Sequence, residues 1–313
     1  YQAPAAAGDK TETFTYTIVD KDGDPSSANL TVYVVDSSPV IAKVDEDELS
    51  GGITDGDSVT AVATGSVTEL VVGSAVGVQF SLSSNTAGLP AASSGGTGLV
   101  YSVSGDTLTA KAGAATVFTL QVQSNGDYTF TLSGPLDHPS AGTDDSELLV
   151  MNFASILEAS DGTDPLALAG DFLVQIENDV PVIAAAAAPN DSLQVDETNL
   201  ALNSTANFGS LFTSNYGGDG PGTTAFSLQI SASGANTGLD DVATGNSIYL
   251  FMQGNDVVGR VSNSGGAIVF RVSVNSNTGA VTLDQLRAIE HSPNTTADQE
   301  ASLAAANQIQ LVG

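Results

Sequence analysis

Thr13-Phe14-Thr15-Tyr16-Thr17-Ile18-Val19-Asp20-Lys21-Asp22-Gly23-Asp24 sets strict apolar–polar alternation against a run of three carboxylates and a glycine, and Leu30, Val32 and Val34 resume the alternation beyond it. A period of two puts Phe14, Tyr16 and Ile18 on one face of a strand and the threonines on the other. The glycine-bearing acidic turn between the two runs makes them a hairpin. Alternating Asp residues on a tight turn also aim several oxygens at one point. Oxygen is the donor that calcium takes, six to eight atoms at a time.

The alternation recurs at Val78, Phe80 and Leu82, at Phe118, Leu120 and Val122, and at Tyr128, Phe130 and Leu132. It returns at Phe172, Val174 and Ile176, at Phe226, Leu228 and Ile230, and at Ile268, Phe270, Val272 and Val274. Short strands separated by Gly, Asn, Asp and Ser turns predict an all-β chain of tandem immunoglobulin-like β-sandwiches. Helical periodicity is confined to 156–158, 283–290 and 302–307, so the last domain is expected to carry short helical segments. The alanine run at 184–188 lies between Pro181 and Pro189 and reads as a spacer more readily than a helix.

An internal repeat marks the boundaries. Asp36-Ser37-Ser38-Pro39-Val40-Ile41 precedes Val44-Asp45-Glu46-Asp47-Glu48-Leu49, and Asn178-Asp179-Val180-Pro181-Val182-Ile183 precedes Val195-Asp196-Glu197-Thr198-Asn199-Leu200. Each copy reads as the end of a domain, a proline-stiffened link and the start of the next domain. The expected division is 1–38, the final strands of a preceding sandwich; 39–183, a calcium-dependent scaffold domain; and 184–313, a larger ligand-binding β-domain. The chain starts on Tyr1 and closes on Gly313 without a second acidic turn, so it reads as an interior piece whose third domain is completed elsewhere.

Seven Lys and Arg against 36 Asp and Glu give a net charge of −29. Folding compresses that excess unless cations neutralise it. The same sign argues against nucleic acid and anionic lipid, which recruit basic patches. No run of 18 apolar residues argues for membrane insertion. Cysteine is absent, which excludes disulfides, Cys-ligated zinc and thiol chemistry. A hydrophobic share of 41% leaves ample material for cores.

Two junction sites follow from the acids. The first gathers Asp20, Asp22 and Asp24 with Asp36 and with Asp45 or Asp47. It is not an EF-hand, whose loop closes on a bidentate Glu at position twelve, because Thr31 stands there. A solvated turn is the alternative, but three neighbouring Asp repel one another unless neutralised. The second junction gathers Asp161 and Asp164 with Asp171, Glu177, Asp179, Asp196 and Glu197. His138, in Asp137-His138-Pro139 near Asp144-Asp145, and His291 each lack a second histidine nearby and read as locally packed rather than as zinc ligands.

A third constellation differs in kind. Tyr216-Gly217-Gly218-Asp219-Gly220-Pro221-Gly222 exposes backbone polar groups around one carboxylate, and the loop from Thr237 to Gly245 adds Asp240 and Asp241. Gly218, Asp219, Gly220, Asp240 and Asp241 could hold a calcium with an open position for a ligand carboxylate or diol, with Arg260 as a reserve anion partner. Two loops around a purely structural ion read equally well. There is no nucleophile elbow, zinc-protease motif or phosphate-binding loop in the sequence. A glycosidase needs only two carboxylates, which a chain this acidic offers without discrimination.

The turn Val19-Asp20-Lys21-Asp22-Gly23-Asp24, the Pro-Val-Ile link and Val-Asp-Glu resemble the calcium-dependent modules of giant RTX adhesins of Gram-negative bacteria. Residues 44–183 resemble a long repeat module, most specifically over Tyr128-Thr129-Phe130-Thr131-Leu132-Ser133-Gly134-Pro135-Leu136-Asp137-His138-Pro139. Residues 193–312 resemble a calcium-dependent peptide-binding module through Val195-Asp196-Glu197, Val258-Gly259-Arg260 and Val281-Thr282-Leu283-Asp284-Gln285-Leu286-Arg287-Ala288. The resemblance implies type I secretion, the extracellular bacterial surface, several calcium ions and no enzymatic activity. It also implies capture of protein C-termini on host or neighbouring cells and a part in biofilm formation. A monomer is expected, and a purely structural extender or a secreted polysaccharide hydrolase are the alternatives.

Overall fold

In the computed structural model, residues 10–34, 39–72, 75–139, 145–186, 192–263, 265–291 and 299–313 are described. The fold is all-β. Strands dominate, and among the described residues the helical turns are four short 3-10 segments. The chain divides into two compact units, Tyr1–Pro181 with Tyr216–Pro221, and Val182–Asn215 with Gly222–Gly313.

The first unit begins with the hairpin read from the sequence. Lys10–Val19 pairs antiparallel with Pro25–Val34, with Phe14 opposite Leu30 and Tyr16 opposite Ala28. Gly23 closes its turn at φ +102°, a conformation open to glycine. Tyr16, Ile18 and Leu30 are more than half exposed.

The rest of the unit is a sandwich. A six-stranded antiparallel sheet runs in the order Val62–Ser66, Asp127–Leu132, Ala115–Val122, Thr107–Ala112, Thr97–Ser104, Ser93–Ser94. Against it lie Leu148–Asn152, Phe172–Glu177 and Val40–Asp45 in one sheet, and Pro165–Leu166, Leu157–Ser160 and Gln79–Leu82 in another. The alternating apolar residues point inward as period two requires: Phe118, Leu120 and Phe130 from the large sheet and Phe172, Val174 and Ile176 from the small one are fully buried. Phe153 sits in the middle, 5.7 Å from Phe118 edge-on, 6.0 Å from Phe130 and 6.3 Å from Phe172 between ring centroids. Val40–Asp45 pairs with Phe172–Glu177 in parallel, the one parallel pair among the described strands, placing Asp45 beside Glu177.

The second unit repeats the large sheet's order, strand for strand: Ser204–Asn207, Ala280–Gln285, Ile268–Val274, Asp256–Val261, Ser247–Gln253, Ala235–Asp240. Ser227–Ile230 pairs with Ile309–Val312 as Gln79–Leu82 pairs with Leu157–Ser160. Its core gathers Ile248, Leu250, Val257, Val269, Phe270 and Val272.

The last domain carries short helical segments as expected, the 3-10 turns Glu197–Asn199 and Gly209–Leu211, but not at the stretches read as helical. Residues 283–285 belong to strand Ala280–Gln285, where pairing with Ile268–Val274 satisfies the backbone, and the N–H groups of Leu286 and Arg287 then both donate to the Val269 carbonyl. Residues 302–307 form turns, since a short run cannot meet the cost of helix nucleation. Of 156–158, Ile156 ends a 3-10 turn and Leu157 begins a strand. Of the alanine run at 184–188, Ala184 and Ala185 end the strand Val182–Ala185, which pairs with Phe212–Asn215, and 187–188 lie outside the described residues.

Phe153 joins both layers of the first unit, so Phe153→Ala is expected to cost about 3–5 kcal/mol of that unit's stability. Denaturant unfolding of the full chain followed by circular dichroism measures it.

Candidate metal centre

The parallel pair determines where the acids go. Val40–Asp45 and Phe172–Glu177 run in the same direction, so their C-terminal ends emerge side by side. Both chains continue in acid: Asp45-Glu46-Asp47 after one strand, Glu177-Asn178-Asp179 after the other. All six residues are buried.

Two sets of carboxylate oxygens lie within 4.8 Å of one another, Asp45 with Asp47 and Asp55, and Asp45 with Asp57 and Glu177. Backbone donors fix part of the group. Asp45 Oδ1 accepts from the Asp47 N–H at 3.1 Å, Asp47 Oδ2 from Asp55 N–H at 2.9 Å, and Asp179 Oδ2 from Ile53 N–H at 3.2 Å and Gly218 N–H at 2.6 Å. Close approach demands glycine at two places: a Cβ on Gly52 would lie 2.0 Å from the Asp47 carbonyl oxygen, and one on Gly217 2.6 Å from Asp179 Oδ2. The cation at the group is Lys43, whose Nζ lies 2.5 Å from Glu177 Oε2 and 3.8 Å from Asp57 Oδ2.

Asp47 Oδ1 and Asp179 Oδ1 are buried with no hydrogen-bond partner. Leaving such oxygens unmatched is costly, and more so when they are charged. Burial pushes the Asp45 carboxyl up to about 7, with the Asp47 and Glu177 charges adding to the rise. Burial likewise raises Asp179, with the Asp145 and Asp47 charges as further causes. An all-oxygen set with an excess of negative charge, an orphaned oxygen on Asp47 and a second on nearby Asp179 suits a hard metal ion. These buried acidic clusters can hold one.

The other expected ligands are distributed differently. Asp20, Asp22 and Asp24 form an exposed group of their own, with Asp20 Oδ1 accepting from the Gly23 and Asp24 N–H groups at 3.1 and 2.8 Å. Asp45 and Asp47, expected to join that turn, are held instead by the parallel pairing with Glu177. Asp36 and Asp144 lie outside the described residues. Asp161 closes an exposed turn, its Oδ1 accepting from the Thr163 and Asp164 N–H groups, which with the Thr163 hydroxyl hold its carboxyl at about 2. Neither Asp161 nor Asp164 joins one of the acidic groups among the described residues, and their turn belongs to the separate Leu157–Ser160 and Pro165–Leu166 pair. Asp171 accepts from Asn152 Nδ2 at 2.7 Å.

Asp219 and the pair Asp240 and Asp241 fall in different units. Gly218, Asp219 and Gly220 belong to the first unit, where the Gly218 N–H meets Asp179 and Asp219 is exposed; Asp240 and Asp241 belong to the second. Asp240 Oδ1 accepts from the Ser247 hydroxyl at 2.7 Å. Asp241, fully buried, is gripped by Arg287 through Nε to Oδ1 and Nη2 to Oδ2, both 2.8 Å, and by Thr244. A guanidinium fork on both oxygens leaves no open metal position there. Arg260 donates to the Gly266 carbonyl at 3.1 Å and to Gln253 Oε1 at 3.3 Å. Asp196 caps the 3-10 turn Glu197–Asn199 by accepting from Thr198 N–H.

Residues 192–313 match a family model described as a domain of unknown function (DUF5801). No curated protein and no solved structure matches the chain.

The two histidines carry a signal the sequence reading passed over. Glu46 Oε1 accepts from Leu136 N–H at 2.7 Å and faces His138 Nε2 at 3.5 Å. Glu197 Oε1 accepts from Ile289 N–H at 2.7 Å and faces His291 Nε2 at 3.6 Å. The same glutamate of each Val-Asp-Glu motif thus clasps the backbone two residues before a histidine, in both units. The pattern was present in Leu136-Asp137-His138 and Ile289-Glu290-His291. Linking it to the glutamates required the fold.

The Arg287 pair holds the Asp241 carboxyl down at about 2, against an ordinary 3.8. A folded value below the unfolded one contributes stability above pH 4 that is lost as pH falls towards 2. Carboxyl-carbon NMR titration is expected to place Asp241 near the foot of that window, and Arg287→Ala to move its midpoint up into the ordinary range.

Proposed function

We propose that this chain is a non-enzymatic, calcium-stiffened scaffold from an RTX-type bacterial surface adhesin, secreted by a type I route and folded outside the cell. The observation that carries the reading is the convergence of buried Asp45, Asp47, Glu177 and Asp179 at the ends of two parallel strands, with Asp47 Oδ1 and Asp179 Oδ1 unmatched. Calcium supplies charge neutralisation and a multidentate oxygen clamp when bound. The residues do the rest. Asp45 and Glu177 bring the charge of the two strand ends together, the loop from Gly52 to Asp57 folds back over them, and the Gly218 N–H ties a further loop to Asp179. With calcium scarce, mutual repulsion loosens the strand ends; with calcium plentiful they lock, and folding becomes coupled to the ion.

Stiffening is preferred over capture of a ligand carboxylate. Capture would need an ion with an open coordination position near Asp240 and Asp241, and those side chains are committed to Ser247 and to Arg287 with Thr244.

Chelation tests the reading. Calcium at 100 times its Kd is expected to add about 2.7 kcal/mol, so EDTA should lower the melting temperature by several degrees and calcium should restore it. Asp47→Asn with Asp179→Asn should raise the melting temperature of the metal-free chain, by removing repulsion, and shrink the gain from calcium. A melt that is the same in EDTA and in calcium overturns the proposal.

A further inference from the structure

Glu46 and His138 meet inside the first unit with bonding capacity left over. Their side chains are 0% and 3% exposed. Glu46 Oε1 accepts from Leu136 N–H at 2.7 Å, but Glu46 Oε2 and both ring nitrogens of His138 are buried with no hydrogen-bond partner. In either neutral tautomer one of those nitrogens is a donor and the other an acceptor, and leaving both unmet inside a fold is costly. His138 Nε2 stands 3.5 Å from Glu46 Oε1. That is long for a charge-assisted hydrogen bond, which closes to about 2.7–2.9 Å. It is the spacing of two donors on one tetrahedral ion, since atoms about 2.0–2.1 Å from zinc stand about 3.3–3.5 Å apart.

The second unit holds the same clasp in a completed form. Glu197 Oε1 accepts from Ile289 N–H and from Gln285 Nε2, each at 2.7 Å, and two donors fill the lone pairs of a carboxylate oxygen. Aligning Leu136 with Ile289 and His138 with His291 places Leu132 on Gln285, and each of these ends the second strand of its six-stranded sheet. The first unit thus carries a buried leucine where the second carries the amide that completes its glutamate. The His291 side chain is also 30% exposed, so water can reach its ring. What satisfies the pair in the second unit is missing from the first.

A third donor stands beside Glu46 and His138. A Cβ on Gly218 would lie 2.9 Å from the Glu46 carbonyl oxygen, so this loop of the first unit is laid against Glu46. Asp219 follows in the same loop, its carboxyl raised by loss of solvent and by the Asp179 charge and lowered by the His138 imidazole. We infer that Glu46, His138 and Asp219 bind a zinc-class divalent cation, with solvent on the open side. An imidazole nitrogen selects a borderline transition ion over calcium, which takes oxygen. The Leu136 N–H orients the Glu46 carboxylate, as outer hydrogen bonds do for ligating groups. The ion would tie the Val-Asp-Glu segment to the loop after Asp127–Leu132 and to the loop of Asp219.

The full chain is titrated with zinc chloride in buffer holding saturating calcium throughout. Calorimetry is expected to give one zinc per chain, with an affinity that further calcium leaves unchanged. The chain has two histidines, so nitrogen-15 NMR of the imidazoles tells which one is bound. Zinc should shift the Nε2 resonance of one ring, the ring that persists in His291→Gln, and that variant should bind zinc as the parent does. Asp219→Asn, at the surface, should weaken binding by about tenfold or more. His138→Gln should abolish it; if this buried substitution prevents folding, the parent spectrum and Asp219→Asn decide. No saturable zinc binding in calcium, a shifted ring that disappears in His291→Gln, binding that Asp219→Asn leaves intact, or zinc that calcium displaces overturns the inference. Neither His138 nor Asp219 belongs to the carboxylate cluster, and the calcium melt needs no zinc, so such a failure leaves the calcium reading untouched.

Discussion

The parallel pairing of Val40–Asp45 with Phe172–Glu177 is the constraint on which the first unit depends. It joins the beginning of the sandwich to its end and covers Phe118, Phe130 and Phe153 with Phe172, Val174 and Ile176. Because the strands are parallel, both acidic continuations leave from one end. An antiparallel pair would have sent Asp45 and Glu177 to opposite ends, and the remaining carboxylates would have no common focus. Packing and charge concentration are therefore consequences of one register: a shift by one residue would turn Val44 and Ile176 outward and Asp45 and Glu177 away from each other.

The second unit, in its described residues, shares several features with the first. It keeps the sheet order, the strand beside Ser227–Ile230 and the glutamate clasp on the backbone before a histidine. It has no cluster comparable with Asp45, Asp47, Asp55 and Glu177 among its described residues. Asp196, the counterpart of Asp45, spends its carboxylate on capping Thr198, and Asp241, buried in this unit, is paired with Arg287. In the first unit Lys43 pairs with Glu177, and the carboxylates around Asp45 form clusters that could hold a metal ion.

Much of the fold was legible because β-sandwiches write their two faces into alternate residues: Phe118, Leu120 and Val122, and Phe172, Val174 and Ile176, are buried as period two predicts. The repeated Val-Asp-Glu motif supplies in each unit a glutamate that accepts from the backbone before a histidine. What could not be read was partnership. Sequence order puts Asp45 or Asp47 with the acidic turn before them, the nearest acids along the chain, whereas Asp45 meets Glu177 and the loop carrying Asp55 and Asp57. Proximity along the chain is a poor guide when the decisive strand pair closes a whole sandwich. The same limit hid Arg287 from Asp241 and both histidines from their glutamates, since each depends on loops brought together by the large sheet.

A buried carboxylate cluster is an expensive way to finish a sandwich. Hydrophobic residues of similar volume would be as stable or more so without any ion. The acids gain their value from being conditional. Asp45 is held near 7, and Asp47 and Asp179 each carry an unmatched buried oxygen, so a bound cation would offset a cost that the apolar residues do not carry. The apolar half of the parallel pair supplies stability by burial, and on the proposed reading the acidic half would make the last part of it depend on a cation. Placing both on the same two strands ensures that whatever the ion does to Asp45 and Glu177 is felt by Val44 and Ile176, one residue away and at the centre of the core.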